Sequence, residues 1–348
     1  MNKKRLWVTC FVALFLMLAA CSSKETSKST EDAASKDTGI EKKEVDDKPR
    51  FAYTFPLTGK GTDEALSSRT VAVMVNNVPE ARPQSGLHKA DIVYEVLAEG
   101  KITRLLAVFQ SEEPDVIGPV RSARDYYVRL SNGFDAIYVF HGWSPSAQVM
   151  LTSGNIDSLN GLYYDGSLFK RADFRKAPHN SYITYKNIKK GSKKNNFELK
   201  QEIPAFPFLK ADEVTAIEGD PASQVTVSYG DHYKVQYRYQ SEKGTYFRYI
   251  NNEQTVDRET NTPIELENVL VVGADHKVID SAGRRNINLE SGGNAVLFQQ
   301  GKAQEINWKN KNGRIIPVKD GAEVSFVSGK TWVNLVPATS LGTDVSWE

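Results

Sequence analysis

The side chains best able to do chemistry fall in four stretches of the 348-residue chain. Arg121 and Arg124 stand in Gly118-Pro-Val-Arg-Ser-Ala-Arg124, at the start of a helical pattern, where free N–H groups and the helix dipole favour an anion. Their guanidinium forks match phosphate or carboxylate. Glu95, Glu99 and Arg104 lie on or beside a predicted hairpin, and His141 follows the apolar run Ala136–Phe140. Phe169–Asn180 adds Arg171, Arg175, His179 and Asn180, and the wider segment Lys170–Lys194 holds nine cations against one acid, Asp173.

These residues allow two chemistries. In a ligand-binding set, Arg121, Arg124, Arg171 and Arg175, with Arg104 beside them, grip an anion while His141, His179 and Asn180 add hydrogen bonds. In a catalytic set, Glu95 or Glu99 and His141 serve as acid and base. Two carboxylates cleave a glycosidic bond only when they face one cleft at roughly 5 to 10 Å. On a continuous strand, residues four apart face the same side about 13 Å from each other, so Gly100 must fold Glu99 back for the pair to work. A plainer role competes with both sets. Arginines of this kind often do no more than neutralise carboxylates such as Glu95 or Glu99, and Lys186–Lys194 reads equally as solvated surface.

Other motifs fail on inspection. Ser328-Gly-Lys-Thr331 ends like a phosphate loop, but Val324 stands where the first glycine belongs and the segment joins strands, so a hairpin turn is expected. Gly142-Trp-Ser-Pro-Ser146 has the context of a nucleophile elbow. Pro145, however, lacks the N–H that the residue after such a serine must offer, which makes Ser144 a helix cap. The five histidines are scattered and no metal-ligand spacing occurs, so neither a metal nor a cofactor is expected.

The elements that must position these groups change character along the chain. Thr70–Asn76 is a compact apolar run, Asp91–Leu97 and Ile102–Gln110 read as a hairpin turning at Gly100, and Ser122 with Asp125 resembles a capping box opening a helix that stops at Gly133. Ala136–Phe140 is a further buried strand, and Ser144-Pro145 starts a second helix. Strand–helix alternation predicts an α/β N-terminal domain over 51–203, with loops opening at strand carboxyl ends where ligands bind. Beyond it, short alternating runs from Val225–Tyr229 to Thr331–Pro337 predict a mostly antiparallel β C-terminal domain over 204–348. Within Tyr233–Tyr239, Tyr233, Tyr237 and Tyr239 share a face with Val235 and read as sheet packing rather than a sugar platform.

The amino-terminal residues fix the location. Lys3, Lys4 and Arg5, the apolar run Leu6–Leu18 and Leu18-Ala-Ala-Cys21 form a signal peptide over 1–20 with a lipobox, so Cys21 is the expected lipidated residue. Cys10 lies in the removed part, leaving no thiol for a disulfide or a nucleophile. Ser22–Arg50 is almost free of large apolar residues and reads as a disordered tether. Loss of the three leader cations leaves 41 Lys and Arg against 43 Asp and Glu, a formal charge of −2. A globally basic nucleic-acid binder is thereby excluded.

The sequence resembles the YerB-like lipoprotein family of mainly Gram-positive bacteria. The resemblance rests on Ala81-Arg-Pro-Gln-Ser-Gly-Leu87, Ala90-Asp-Ile-Val-Tyr-Glu95, Glu99-Gly with Thr103-Arg104, Gly118-Pro-Val-Arg-Ser-Ala-Arg124 and Ala177-Pro-His-Asn180. It continues through Trp308-Lys309 and Gly329-Lys-Thr-Trp332, with Lys101 where a second glycine is expected. It implies two domains on a lipoprotein and no activity, since the family is uncharacterised. The leading expectation is therefore a lipid-anchored protein on the extracytoplasmic face of the cell membrane that binds an anionic envelope glycan or its precursor. An envelope-glycan hydrolase or transferase and a protein-interaction scaffold are the alternatives, with the oligomeric state open.

Overall fold

The structure is a computed structural model that describes residues 51–66 and 68–348. The predicted signal peptide, Cys21 and the whole tether lie outside the described residues. The N-terminal half supplies β1 (Val71–Asn76), β2 (Ile92–Leu97), β3 (Thr103–Phe109), α1 (Asp125–Asn132), β4 (Ile137–Phe140), α2 (Pro145–Leu151) and β5 (Ser158–Asn160). A small hairpin, β6 (Phe169–Arg171) and β7 (Ser181–Thr184), then leads into α3 (Tyr185–Lys194). The C-terminal half is almost all strand: β8 (Gln224–Ser228), β9 (Lys234–Gln240), β10 (Thr245–Ile250), β11 (Asn268–Val278), β12 (Gly293–Gln299), β13 (Lys302–Lys311), β14 (Arg314–Lys319) and β15 (Thr331–Pro337).

Both halves contribute to one 13-stranded sheet, in which the strands just defined run in the order β14-β13-β12-β11-β15-β2-β3-β1-β4-β5. Pairing is parallel at β11–β15, β15–β2, β1–β4 and β4–β5 and antiparallel elsewhere along that path. The β15–β2 seam runs from Thr331 against Ile92 to Leu335 against Val96, so the two halves meet as neighbouring strands within Pro49–Glu348, a single compact unit. Strands β8–β10 build a separate six-stranded antiparallel sheet with short partners that include Val345–Trp347.

The main sheet is buried on both faces, which is why Val71–Asn76 reads as a continuous apolar run rather than an alternating one. Val71, Val73 and Val75 point into the core beneath the six-stranded sheet and α3, where Val225, Tyr237, Tyr246 and Ile188 meet them. Ala72 and Met74 point the other way, into the core shared with α1 and α2 through Tyr126, Tyr127 and Leu151. Each fully buried aliphatic side chain contributes roughly 1.5–3 kcal/mol.

The two helices begin differently. At α2, Ser144 caps as expected: its Oγ accepts from Ala147 N at 3.3 Å, with Pro145 in the first turn. At α1 the expected capping box does not form. The helix starts at Asp125 with Arg124 in the cap position, and Ser122 Oγ instead donates to His141 O at 3.0 Å. Backbone pairing of Ala123 with Gly142 holds Ser122 two residues too early to cap and ties the loop to the end of β4. The Ser328–Thr331 turn carries an internal carboxylate: Lys330 N donates to Glu267 Oε2 at 2.6 Å, and Lys330 Nζ bonds His88 O and pairs with Glu112. Tyr233 sits in the turn ahead of β9, while Tyr237 is buried and its hydroxyl donates to Asn334 Oδ1 at 3.0 Å.

Candidate functional site

Parallel strands β1 and β4 end side by side at Asn76 and Phe140, and the Gly118–Arg124 loop is laid across those ends by backbone bonds. Asn76 N donates to Pro119 O at 2.8 Å, Arg121 N to Met74 O at 2.8 Å, and His141 N to Arg121 O at 2.9 Å. Placement at the carboxyl ends of parallel strands follows the expectation for α/β sheets.

On the helix side of this edge three guanidiniums surround one carboxylate. Arg124 Nε donates to Glu99 Oε1 at 2.7 Å, Arg124 Nη2 makes a second, very short bond to the same oxygen, and Arg104 Nη2 donates to Glu99 Oε2 at 2.8 Å. Arg104 is anchored further by Ser122 O at 2.7 Å. Burial and then Arg124 push its pKa down to about 10, against the pull of Glu99. Arg121, half-buried beside this trio, makes no side-chain hydrogen bond or ion pair among the described residues. Its pKa is lowered by burial and then by Arg124, with Glu99 opposing. One carboxylate thus serves three cations, two of which have no matching negative charge.

Across the loop lies a histidine pair. His141 Nδ1 is 2.8 Å from Ser181 Oγ and its Nε2 is 3.0 Å from Arg171 Nη2. Arginine can only donate, so Nε2 accepts and the proton resides on Nδ1, directed at Ser181. Arg171 also donates through Nε to Asp165 Oδ2 at 3.0 Å and through Nη1 to Asn180 Oδ1 at 3.2 Å. His179 Nδ1 is 2.8 Å from Asn76 Nδ2, and Val78 N donates to Asn76 Oδ1 at 3.4 Å; the amide therefore donates to His179. Burial, Arg171 and Arg121 hold His141 below its ordinary value, with Asp165 opposing. Burial and Arg121, followed by Arg175, do the same to His179 against Glu80. Burial first, and then the positive neighbours, disfavour the protonated form of both imidazoles.

The remaining predicted residues go elsewhere. Arg175 is bound to backbone carbonyls, donating to Glu80 O at 3.1 Å and Pro83 O at 2.5 Å. Glu95 does not share the side of Glu99. It is fully buried under the six-stranded sheet, where Arg248 Nη2 donates to Oε2 at 2.8 Å and Trp332 Nε1 donates at 3.1 Å. Its Oε1 accepts from Tyr233 at 2.5 Å, Thr103 at 2.9 Å and Asn77 at 3.2 Å. Strand β2 ends at Leu97, and the turn at Gly100, φ 57°, carries Glu99 over to the α1 side. The strand ends at Leu97, as the sequence indicates, so the continuous-strand geometry that would set both carboxylates on one side does not reach Glu99. His141 meets a guanidinium on the nitrogen a base would use.

Several residues of the site gave no sequence signal of their own. Asn76 is a polar ending to an apolar strand, Ser181 opens the short strand β7, Asp165 follows a single helical turn, and Gly161 matters through contact. A Cβ on Gly161 would lie 2.2 Å from His141 Nδ1, so only glycine leaves room for that ring. Among the described residues no group of three or more His, Cys, Asp or Glu has the arrangement to hold a metal ion.

Residues 57–198 match the model described as "Protein of unknown function (DUF3048) N-terminal domain", and residues 225–333 match its C-terminal counterpart. The chain belongs to the DUF3048 family. It is 48% identical over 339 residues, 95% of each chain, to the Bacillus subtilis (strain 168) protein named "Putative lipoprotein YerB". The crystal structure of YerB from Bacillus subtilis is similar to it with a TM-score of 0.79 at 50% identity, covering 85% of this chain and 99% of that one. Within this YerB-like family the chain takes its place as a membrane-associated lipoprotein with an α/β N-terminal part and a mostly antiparallel C-terminal part.

Proposed function

We propose that this protein is anchored through lipidated Cys21 on the extracytoplasmic face of the membrane and binds an anionic envelope ligand, a phosphate- or carboxylate-bearing glycan or its precursor. The observation that carries the reading is the charge imbalance at the ends of β1 and β4. Arg104 and Arg124 both pair with Glu99, and Arg121 beside them has no ion-pair or hydrogen-bond partner among the described residues. Partly desolvated like charges repel, and an arriving anion relieves that repulsion while accepting hydrogen bonds. His179, with Nδ1 occupied by Asn76, presents Nε2–H as a neutral donor, and Asn180 and Arg171 extend the polar rim.

Binding is favoured over catalysis by specific contacts. Glu95 is sealed beneath a sheet, Glu99 is engaged by two arginines, and His141 Nε2 accepts from Arg171. No free base remains beside a free acid, as general acid–base work requires.

The test is calorimetric titration of the full-length protein in nanodiscs with a glycerol-phosphate oligomer and with a muramic-acid saccharide, each at rising salt. At least one should bind, with affinity falling as salt rises, and Arg121→Ala and Arg124→Ala should each weaken it about tenfold. Equal affinity of both variants and the unaltered protein ends the proposal.

A further inference from the structure

A cavity of about 380 Å³ shares no lining residue with the arginine cluster and lies where the two halves of the chain face each other. Asn77, Val78 and Arg82 wall it from the segment after β1, Ile102 from the β2–β3 turn, and Gly230 and Tyr233 from the approach to β9. A smaller hollow of about 270 Å³ shares Arg82 and Asn251 with it. Ligand sites in proteins commonly hold about 300–1,000 Å³ and pair apolar walls with a few placed polar groups.

Arg82 is the placed polar group. It is half-buried and stacks 4.7 Å over the Tyr233 ring, which is itself stacked on Tyr229 at 5.6 Å. Its Nε and Nη2 both donate to Asn77 O, at 3.0 and 2.6 Å, and its Nη1 has no hydrogen-bond partner among the described residues. No carboxylate forms an ion pair with it there. Glu95 is already committed to Arg248 and Trp332. Burial lowers the Arg82 pKa and Arg248 reinforces it, while Tyr233 and the carboxylates of Glu95 and Glu253 oppose, neither carboxylate forming an ion pair with it. The other cation at the mouth is matched: Lys101 Nζ reaches Asp231 Oδ2 at 3.3 Å, its stem lying against Gly230, where a Cβ would come within 2.5 Å. Ile102 lines the same mouth 45% exposed, an apolar surface with a cavity behind it.

We propose that this cavity binds a small molecule carrying one carboxylate on an apolar or aromatic body, the carboxylate on Arg82 and the body against Val78, Ile102 and Tyr233. A single negative charge fits because a single guanidinium lacks a counterion. A phosphate dianion would leave a charge uncompensated beside apolar walls, which is costly. Free acids and a peptide's C-terminus share this chemistry. The site is independent of the Arg121 cluster, and either can fail without the other.

Saturation-transfer NMR titrations on the full-length protein in nanodiscs test it, with phenylacetate, phenylacetamide, phenyl phosphate and glycyl-phenylalanine as probes. Phenylacetate or the dipeptide should bind at least tenfold tighter than both the amide and the phosphate. Whichever carboxylate binds tighter identifies a free acid or a peptide end as the source. Arg82→Gln should weaken binding at least tenfold. Ile102→Trp, at a position exposed enough to leave the thermal melt unchanged, should block the cavity, whereas Arg121→Ala should have no effect. The proposal is overturned if no carboxylate binds saturably, if amide or phosphate binds as well as carboxylate, or if neither Arg82→Gln nor Ile102→Trp changes the affinity.

Discussion

Glu95 and Glu99 sit four residues apart and serve opposite ends. Glu95, with 0% exposure, faces one guanidinium and four neutral donors, so its charge and its lone pairs are met inside the core. Glu99 keeps a side chain 24% exposed and is outnumbered by Arg104, Arg124 and Arg121, the last without an ion-pair partner among the described residues. A buried charge that is paired and fully hydrogen-bonded stabilises the fold and has nothing left for a guest. A carboxylate shared by too many cations leaves positive potential directed outward. The difference between structure and receptivity here is one of charge balance, since both networks use the same residue types.

The comparison can be broken most severely at Glu95. Arg248→Met strands a fully buried carboxylate and should destabilise the protein by about 3–5 kcal/mol in urea unfolding, without altering anion affinity in the folded fraction. An effect under about 1 kcal/mol would mean the pair is not closed. At Glu99 the signs should separate. Glu99→Gln removes the only acid among three cations and should cost roughly 1–3 kcal/mol of stability while tightening anion binding several-fold at low salt. Weaker binding would make Glu99 a ligand-positioning group instead. Gly161→Ala drives a methyl into the His141 ring, at a stability cost of roughly 1–3 kcal/mol, and should move the His141 imidazole NMR signals while leaving the Arg248 side-chain signals in place.

The smallest effect concerns pH. His141 and His179 are depressed in the folded state, while an unfolded histidine takes up its proton near about 6.5. Between the folded and unfolded values the unfolded chain holds more protons, so these groups lower stability as pH falls below about 6.5. His276, pushed down to about 4 chiefly by burial, acts in the same sense. Asp91, raised by burial to about 6, opposes it over the lower part of that window. A bound anion favours protonated imidazoles, so anion affinity should rise a few-fold from pH 7 to pH 5 with net proton uptake in calorimetry. Flat affinity would place the anion away from the histidines.

The alternation of strand and helix, the hairpin at Gly100, the Ser144 cap and the strand-rich second half were legible because each rests on local periodicity or turn chemistry. The expectation that Arg121, Arg124, Glu99 and His141 project toward one edge of one sheet came from the same local reading, since all four fall at strand ends or helix starts. What escaped depends on contacts between distant residues. Nothing near Glu95 in the sequence points to Arg248, 153 positions away. Asn76, Asp165 and Gly161 acquire meaning only from what they touch. The α1 start shifted because Ser122 found a carbonyl at the end of β4, a tertiary partner outcompeting a local cap.

The insertion of β15 between β2 and β11 has a consequence for biogenesis. The chain is synthesised from its amino end, so β2 is made with one edge bare and stays so until Thr331–Pro337 arrive to cover it. Assembly of the central layer is therefore a late event governed by a contact of long sequence separation, slow and exposed to aggregation in the meantime. A chain cut short before Thr331 would keep that edge permanently open.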